Sequence, residues 1–100
     1  MPEVVTMVSA YIAPDRVADV VEGFGAAIRA GMPERRQVSL LRGDGDLWRI
    51  VTVWRDRQDL NRYLSMTDRP FAVTLLEGAG GAPTVDVLEL VLDNDTTWWP

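Results

Sequence analysis

The side chains able to do chemistry gather in one stretch, LWRIVTVWRDRQDLNRYLS, residues 47–65. Trp48 and Trp54 offer flat π surface, Arg49 a permanent cation, Asn61 an amide and Tyr63 a phenol. Tyr11 and Ser9, in phase with each other near the N-terminus, are further candidates to line a cavity. Such a set suits the binding and orientation of a small molecule. It contains no pair that spacing marks as nucleophile and base. The chain has no His and no Cys. Without His it lacks the commonest metal ligand, the usual neutral-pH base and the usual proximal heme ligand. Without Cys it has no disulfide and no thiolate chemistry. No metal and no cofactor is expected.

Each of these residues also has a structural reading. Tyr63 shares an apolar helix face with Leu60 and Leu64, so it is either a core tyrosine or one whose hydroxyl enters a cavity as donor or proton relay. Trp54 closes a strand just before a helix, as a plug for the end of the fold or as a cavity wall. Trp48 lies on the same strand face and fits a core, an interface or a pocket. Asn61 falls one residue past the apolar stripe, a solvated position unless it bonds a substrate. Arg49 points opposite Trp48. Buried, it would stabilise an anion; at the surface, it would face solvent or an interface carboxylate.

The elements that must position them follow from periodicity. Residues 4–12 are rich in β-branched side chains and read as a strand. Pro14-Asp15 stops it, and Asp15 is placed to cap the next helix. Val17, Val20, Val21, Phe24 and Ile28 then recur as one helical stripe, expected in the core and ended by Gly31 and Pro33. Residues 37–42 read as a second strand. The turn Gly43-Asp44-Gly45-Asp46 leads to a third strand over 47–54, with Trp48, Ile50, Thr52 and Trp54 on one face. The Arg-Gly-Asp letters at 42–44 belong to that turn. Asp56 is placed to cap a helix carrying Leu60, Tyr63 and Leu64. After a break near 66–69, Pro70 opens a continuation with Phe71, Leu75 and Leu76. Residues 78–83 read as a flexible glycine connector without the Lys or spacing of a phosphate loop. Residues 84–92 read as the last strand.

The order β-α-β-β-α-β is the ferredoxin-like α+β arrangement, a four-stranded antiparallel sheet with helices on one face. It leaves the other face bare and apolar, and the simplest cover is a second copy, so a homodimer through the open sheet face is expected. One hundred residues with 47% hydrophobic content make one globular domain, placed at 1–93, with a tail at 94–100. In that tail Trp98 and Trp99 are candidates to pack on a partner or cover a cavity mouth. A net charge of −5 argues against nucleic-acid binding. No apolar run approaches the roughly 20 residues that span a bilayer, so no membrane partner is expected. The N-terminus has no basic segment of the secretory kind, which points to the cytoplasm. All ten basic residues are Arg, a composition typical of a GC-rich bacterial genome.

With these elements in place, IVTVWRDRQDLNRYLS, the following Phe71 and the first-helix segment VADVVEGF resemble the antibiotic biosynthesis monooxygenase superfamily of dimeric α/β barrels. The resemblance covers roughly residues 4–92. It implies the fold more specifically than the activity, since the superfamily includes cofactor-free oxygenases, heme-degrading enzymes, cyclases or isomerases, and members without known reaction. The heme branch needs a histidine, an asparagine and a tryptophan where this chain has Leu75, Val8 and Tyr63. The cofactor-free branch implies a monooxygenase-like role on an aromatic or quinol-like molecule that supplies its own electrons to dioxygen. In that reading Tyr63 and Asn61 are catalytic. Trp48, Trp54 and Tyr11 contact the substrate, and Arg49 steadies its anion. A cyclase or isomerase, and a non-catalytic ligand-binding or assembly domain, are the alternatives.

Overall fold

The computed structural model describes residues 3–31 and 35–91. Four strands form one antiparallel sheet in the order β2-β3-β1-β4. They are β1 Val4–Tyr11, β2 Arg35–Arg42, β3 Leu47–Trp54 and β4 Thr84–Glu89. The helices are α1 Val17–Ala30, α2 Arg57–Met66 and α3 Phe71–Gly78. This is the expected ferredoxin-like arrangement, with the second helical segment split in two. The tail from residue 92 on, including the expected boundary at 93/94 and Trp98-Trp99, lies outside the described residues.

Strand alternation sorts the sheet into two faces. Val4, Thr6, Val8 and Ala10 of β1 and Trp48, Ile50, Thr52 and Trp54 of β3 are buried beneath the helices. Their neighbours in sequence point to the other face. In register, Val4 faces Trp54, Thr6 faces Thr52 and Ala10 faces Trp48. The buried side chains form two clusters. The larger joins Val8, Ala10, Ile12, Val20, Trp48, Ile50, Ala72, Leu76 and Ala79. The smaller joins Val4, Trp54 and Leu60, with Tyr63 against them.

Several boundaries differ from the sequence reading. A 3-10 turn over Pro14–Arg16 precedes α1, which places Asp15 inside the turn rather than at a cap. No side chain caps the turn or α1. The α1 stripe is only partly core. Val20 is sealed and Val17 and Phe24 pack on the cluster, while Val21 and Ile28 are half-exposed at the edge of the stripe. β2 begins two residues earlier than expected, through an irregularity between Arg35 and Gln37. β4 stops at Glu89, after which one further bond runs from the Leu90 N–H to the Glu3 carbonyl (2.8 Å).

The glycine connector is not a loose linker. The Gly80 N–H donates to the Glu77 carbonyl and the Gly81 N–H to the Leu76 carbonyl, both at 2.9 Å, and Gly80 has φ +88°. This is a Schellman close of α3, which satisfies two orphan carbonyls and needs a residue without Cβ at the left-handed position. A Cβ on Gly81 would lie 2.9 Å from Ala10 Cβ and 2.9 Å from Ile12 Cδ1. The run is therefore pressed onto β1, and sequence alone could not distinguish a packed glycine from a flexible one.

Candidate functional site

The site begins with how α2 is held. Asp56 Oδ1 accepts the Asp59 N–H at 2.9 Å, the cap expected from sequence. Asp59 itself is buried in the first turn. Its two carboxylate oxygens take Arg55 Nε at 2.7 Å and Arg62 Nη1 at 3.1 Å. The Arg55 hydrogen bond, aided by the charges of both arginines, holds the Asp59 carboxyl below its ordinary value against the opposing effect of burial. A carboxylate is also at home near a helix N-terminus. The motif Arg-Asp-x-x-Asp is thus a clamp that fixes the rotation of α2 and turns Leu60 and Tyr63 toward the sheet.

There Trp54 and Tyr63 meet, with ring centroids 5.1 Å apart and planes inclined by 38°. Trp54 Nε1 donates to Thr6 Oγ1 at 3.0 Å, a diagonal contact across β3 and β1. The Tyr63 phenol oxygen accepts the Phe71 N–H at 2.8 Å. That bond serves the first turn of α3, whose N-cap, Pro70, makes no side-chain cap bond. Tyr63 is therefore both a tether between α2 and α3 and a pocket residue.

Beside this pair lies a pocket between the sheet and the helices α2 and α3. Its cavity volume is about 70 Å³, and it opens to solvent at its mouth. Val8, Trp54, Leu60, Tyr63, Phe71 and Val73 line it, together with Val85 and Val87 of β4. No helix covers β4 fully, so Val85 and Val87 remain 54% and 42% exposed. Such a concave, mostly apolar space is of the kind that takes small flat ligands. Among the described residues, no charged one lines it. The polar groups of its described lining are the Tyr63 phenol, the hydroxyls of Thr6 and Thr52, and the Trp54 indole N–H, which is bonded to Thr6.

Of the six residues singled out by sequence, the structure brings Trp54 and Tyr63 together at this pocket. Asn61 is exposed on α2 and does not line it. Trp48 is buried in the larger cluster, with the Arg42 guanidinium 5.0 Å from its ring centroid. Six residues of strand put it roughly 20 Å from Trp54. Arg49 points to the open face, where its Nε donates to Ser9 Oγ at 2.7 Å. Tyr11, 72% exposed, borders a cleft there with Arg49 and Asp86. In the single chain Arg49 and Tyr11 therefore lie across the sheet from the pocket.

The sequence reading passed over Thr6 and Thr52. Their signal was legible in retrospect, since each places a hydroxyl at an inward position of an otherwise apolar strand face. Phe71 was noted for the fold but not for the pocket, because its place depends on how α3 turns back after Pro70.

Solved structures share this architecture. The cofactor-independent oxygenase SnoaB from Streptomyces nogalater aligns with TM-score 0.69 at 22% identity, over 94% of this chain and 98% of that one. A Mycobacterium tuberculosis protein aligns with TM-score 0.68 at 17% identity, over 93% and 99%. A Deinococcus radiodurans protein aligns with TM-score 0.72 at 9% identity, over 92% and 96%. At these identities the likeness speaks for the fold. No curated protein matches the chain. No described helix is long and apolar enough to cross a membrane. The sequence profile of one family, antibiotic biosynthesis monooxygenase, matches residues 3–68, through β1, the hairpin and the clamped helix α2. By that match and by the fold, the chain belongs to the antibiotic biosynthesis monooxygenase family.

Proposed function

We propose that this protein is a cofactor-independent monooxygenase of an aromatic or quinol-like small molecule, bound in the pocket beside Trp54 and Tyr63. The observation that carries the reading is the pocket itself, an apolar space walled by Trp54, Tyr63 and Phe71, in a chain whose family is named for monooxygenation. The substrate in this reading supplies the electrons. Its deprotonated form reduces dioxygen, one oxygen atom replaces two hydrogens at a ring carbon as a carbonyl, and the other leaves as water. The protein's part is to exclude water, hold the ring against Trp54 and favour the anion with neutral donors. Tyr63 is the residue placed to bond a substrate oxygen. Asn61, Trp48, Arg49 and Tyr11 do not reach this pocket within one chain, so the proposal rests on Trp54 and Tyr63.

The test is dioxygen uptake with a panel of hydroxylated anthrones. One dioxygen consumed per quinone formed, with water and no hydrogen peroxide as the second product, supports the reading. Turnover of such a substrate without dioxygen uptake would instead favour a cyclase or isomerase, and binding without turnover a ligand-binding domain.

We further propose that a second copy covers the open sheet face. Val5, Met7, Val51 and Val53 lie on it, with Leu41 and Leu88 each about half exposed. A surface of this character is costly to leave in water, and pairing two identical faces buries it twice. Arg49 and Tyr11 would then belong to the interface. Light scattering over a concentration series checks this, and a monomer throughout would refute it.

A further inference from the structure

Among the polar groups of the pocket, Thr52 stands apart. The residue is 6% exposed and lies on the pocket floor. Its hydroxyl makes no hydrogen bond among the described residues. Yet among the described residues no side-chain oxygen or nitrogen is sealed from solvent without a partner. Those facts together leave the Thr52 hydroxyl facing the pocket. Directly across the strand pair stands Thr6, its register partner, on the same floor. Opposed residues of an antiparallel pair hold their Cβ atoms about 4.5–5.5 Å apart, close enough for both hydroxyls to reach one atom. Thr6 Oγ1 already receives the Trp54 indole N–H. A hydroxyl that accepts has its own O–H polarised toward donation.

We propose that Thr6 and Thr52 form the polar end of the pocket and bind an acceptor oxygen of the ligand, a ketone or phenolate oxygen, with the ring running from them past Trp54. The inference rests on the reading of this pocket as a ligand site, and it names what that site recognises. The physical reason is asymmetric. The Thr52 hydroxyl, at the floor of an apolar pocket, has no protein partner among the described residues, and a ligand oxygen supplies one. A ligand of the same shape without that oxygen leaves the hydroxyl as it was. The two threonines would also provide the neutral donors that favour an anionic substrate in a pocket without a lining cation.

The experiment is an NMR titration of the whole chain with a matched pair, 1-tetralone and tetralin, which differ by one carbonyl oxygen. The wild type should bind the ketone about three- to tenfold tighter, the range expected of one hydrogen bond. Thr52→Val should abolish that preference by weakening ketone binding, leave tetralin binding unchanged, and keep or raise the thermal midpoint of the free protein. Thr52→Ser should retain the preference. Equal binding of both ligands by the wild type, with shifts at the pocket, would overturn the threonine assignment and leave the pocket reading standing. So would a preference that survives in Thr52→Val, equal weakening of both ligands, or a lower midpoint in that variant. If the wild type binds neither molecule, the pocket reading falls, and the inference with it.

Discussion

Trp48 and Trp54 lie on one face of one strand, both buried, and their surroundings have little else in common. Around Trp48 the helices α1 and α3 close over the sheet. Leu76, Ile12 and Ile50 are fully sealed there, and the packed glycine turn after α3 fills the remaining space. Around Trp54 the cover is α2 and the first turn of α3, and a pocket remains between them and β4. The difference shows how this fold separates two jobs. One end is filled so that the sheet and helices have a fixed geometry. The other is left incompletely filled, with its walls held by specific hydrogen bonds rather than by dense packing. Hydrogen bonds from Trp54 to Thr6 and from Phe71 to Tyr63, and the Arg55–Asp59–Arg62 clamp, supply the rigidity that packing supplies at the Trp48 end.

The largest contrast should come from cutting matched leucines. Leu76→Ala opens a closed void in the filled end and should cost toward the upper part of the roughly 2–5 kcal/mol range for such changes. Leu60→Ala enlarges a space already joined to the pocket and should cost toward the lower part of it. Denaturant unfolding of both variants measures this. A larger loss at Leu60 would mean that the pocket end is packed as tightly as the other. Next in size is Gly81→Ala, which drives a methyl into Ala10 and Ile12 and should destabilise by about 1–3 kcal/mol. No measurable loss would mean the turn gives way, and the filled end is looser than described.

Tyr63→Phe sharpens the comparison at the pocket end. It removes the acceptor for the Phe71 N–H and should lower stability by about 1 kcal/mol. If Tyr63 also serves the substrate, turnover should fall in a sample kept well below its unfolding midpoint. A stability loss with turnover intact would assign Tyr63 to structure alone.

The smallest effect concerns pH. Arginine contacts hold the Asp59 carboxyl below its ordinary value, so the ionised form favours the fold. Its contribution is present above the unfolded-state value of about 3.9 and is lost as pH falls through the lowered folded-state value. Asp59→Asn should therefore be less stable than the wild type near neutral pH, and the gap should narrow as the solution is acidified. Acid titration of both proteins by circular dichroism follows it. A gap that is constant with pH would show that the clamp does not depend on the carboxylate charge.

Much of the fold was legible in the chain because its signals are local. Alternation over 47–54 gives β3 to the residue, and Asp56 before an apolar stripe marks the cap of α2. Asp15 failed by the same kind of argument, because an acid just before a helix is a cap only if the backbone presents it there, and the 3-10 turn does not. The pocket was legible only in part. Trp54 and Tyr63 stood out by type, whereas Thr6 and Thr52 were hidden among valines. Arg49 and Tyr11 lie on the other face of the sheet from this pocket.

By itself the sequence determined the order of elements, the inward face of each strand, the lack of histidine and cysteine chemistry, and the family resemblance. These follow from periods of two and 3.6 residues and from residue type, which need no partner to be read. The tertiary structure alone decided which inward residues meet a filled core and which meet a pocket. That depends on where α2 and α3 lie across the sheet, and their placement is set by long-range contacts. The Tyr63–Phe71 tether and the glycine turn against β1 join separate elements whose relation no local pattern records.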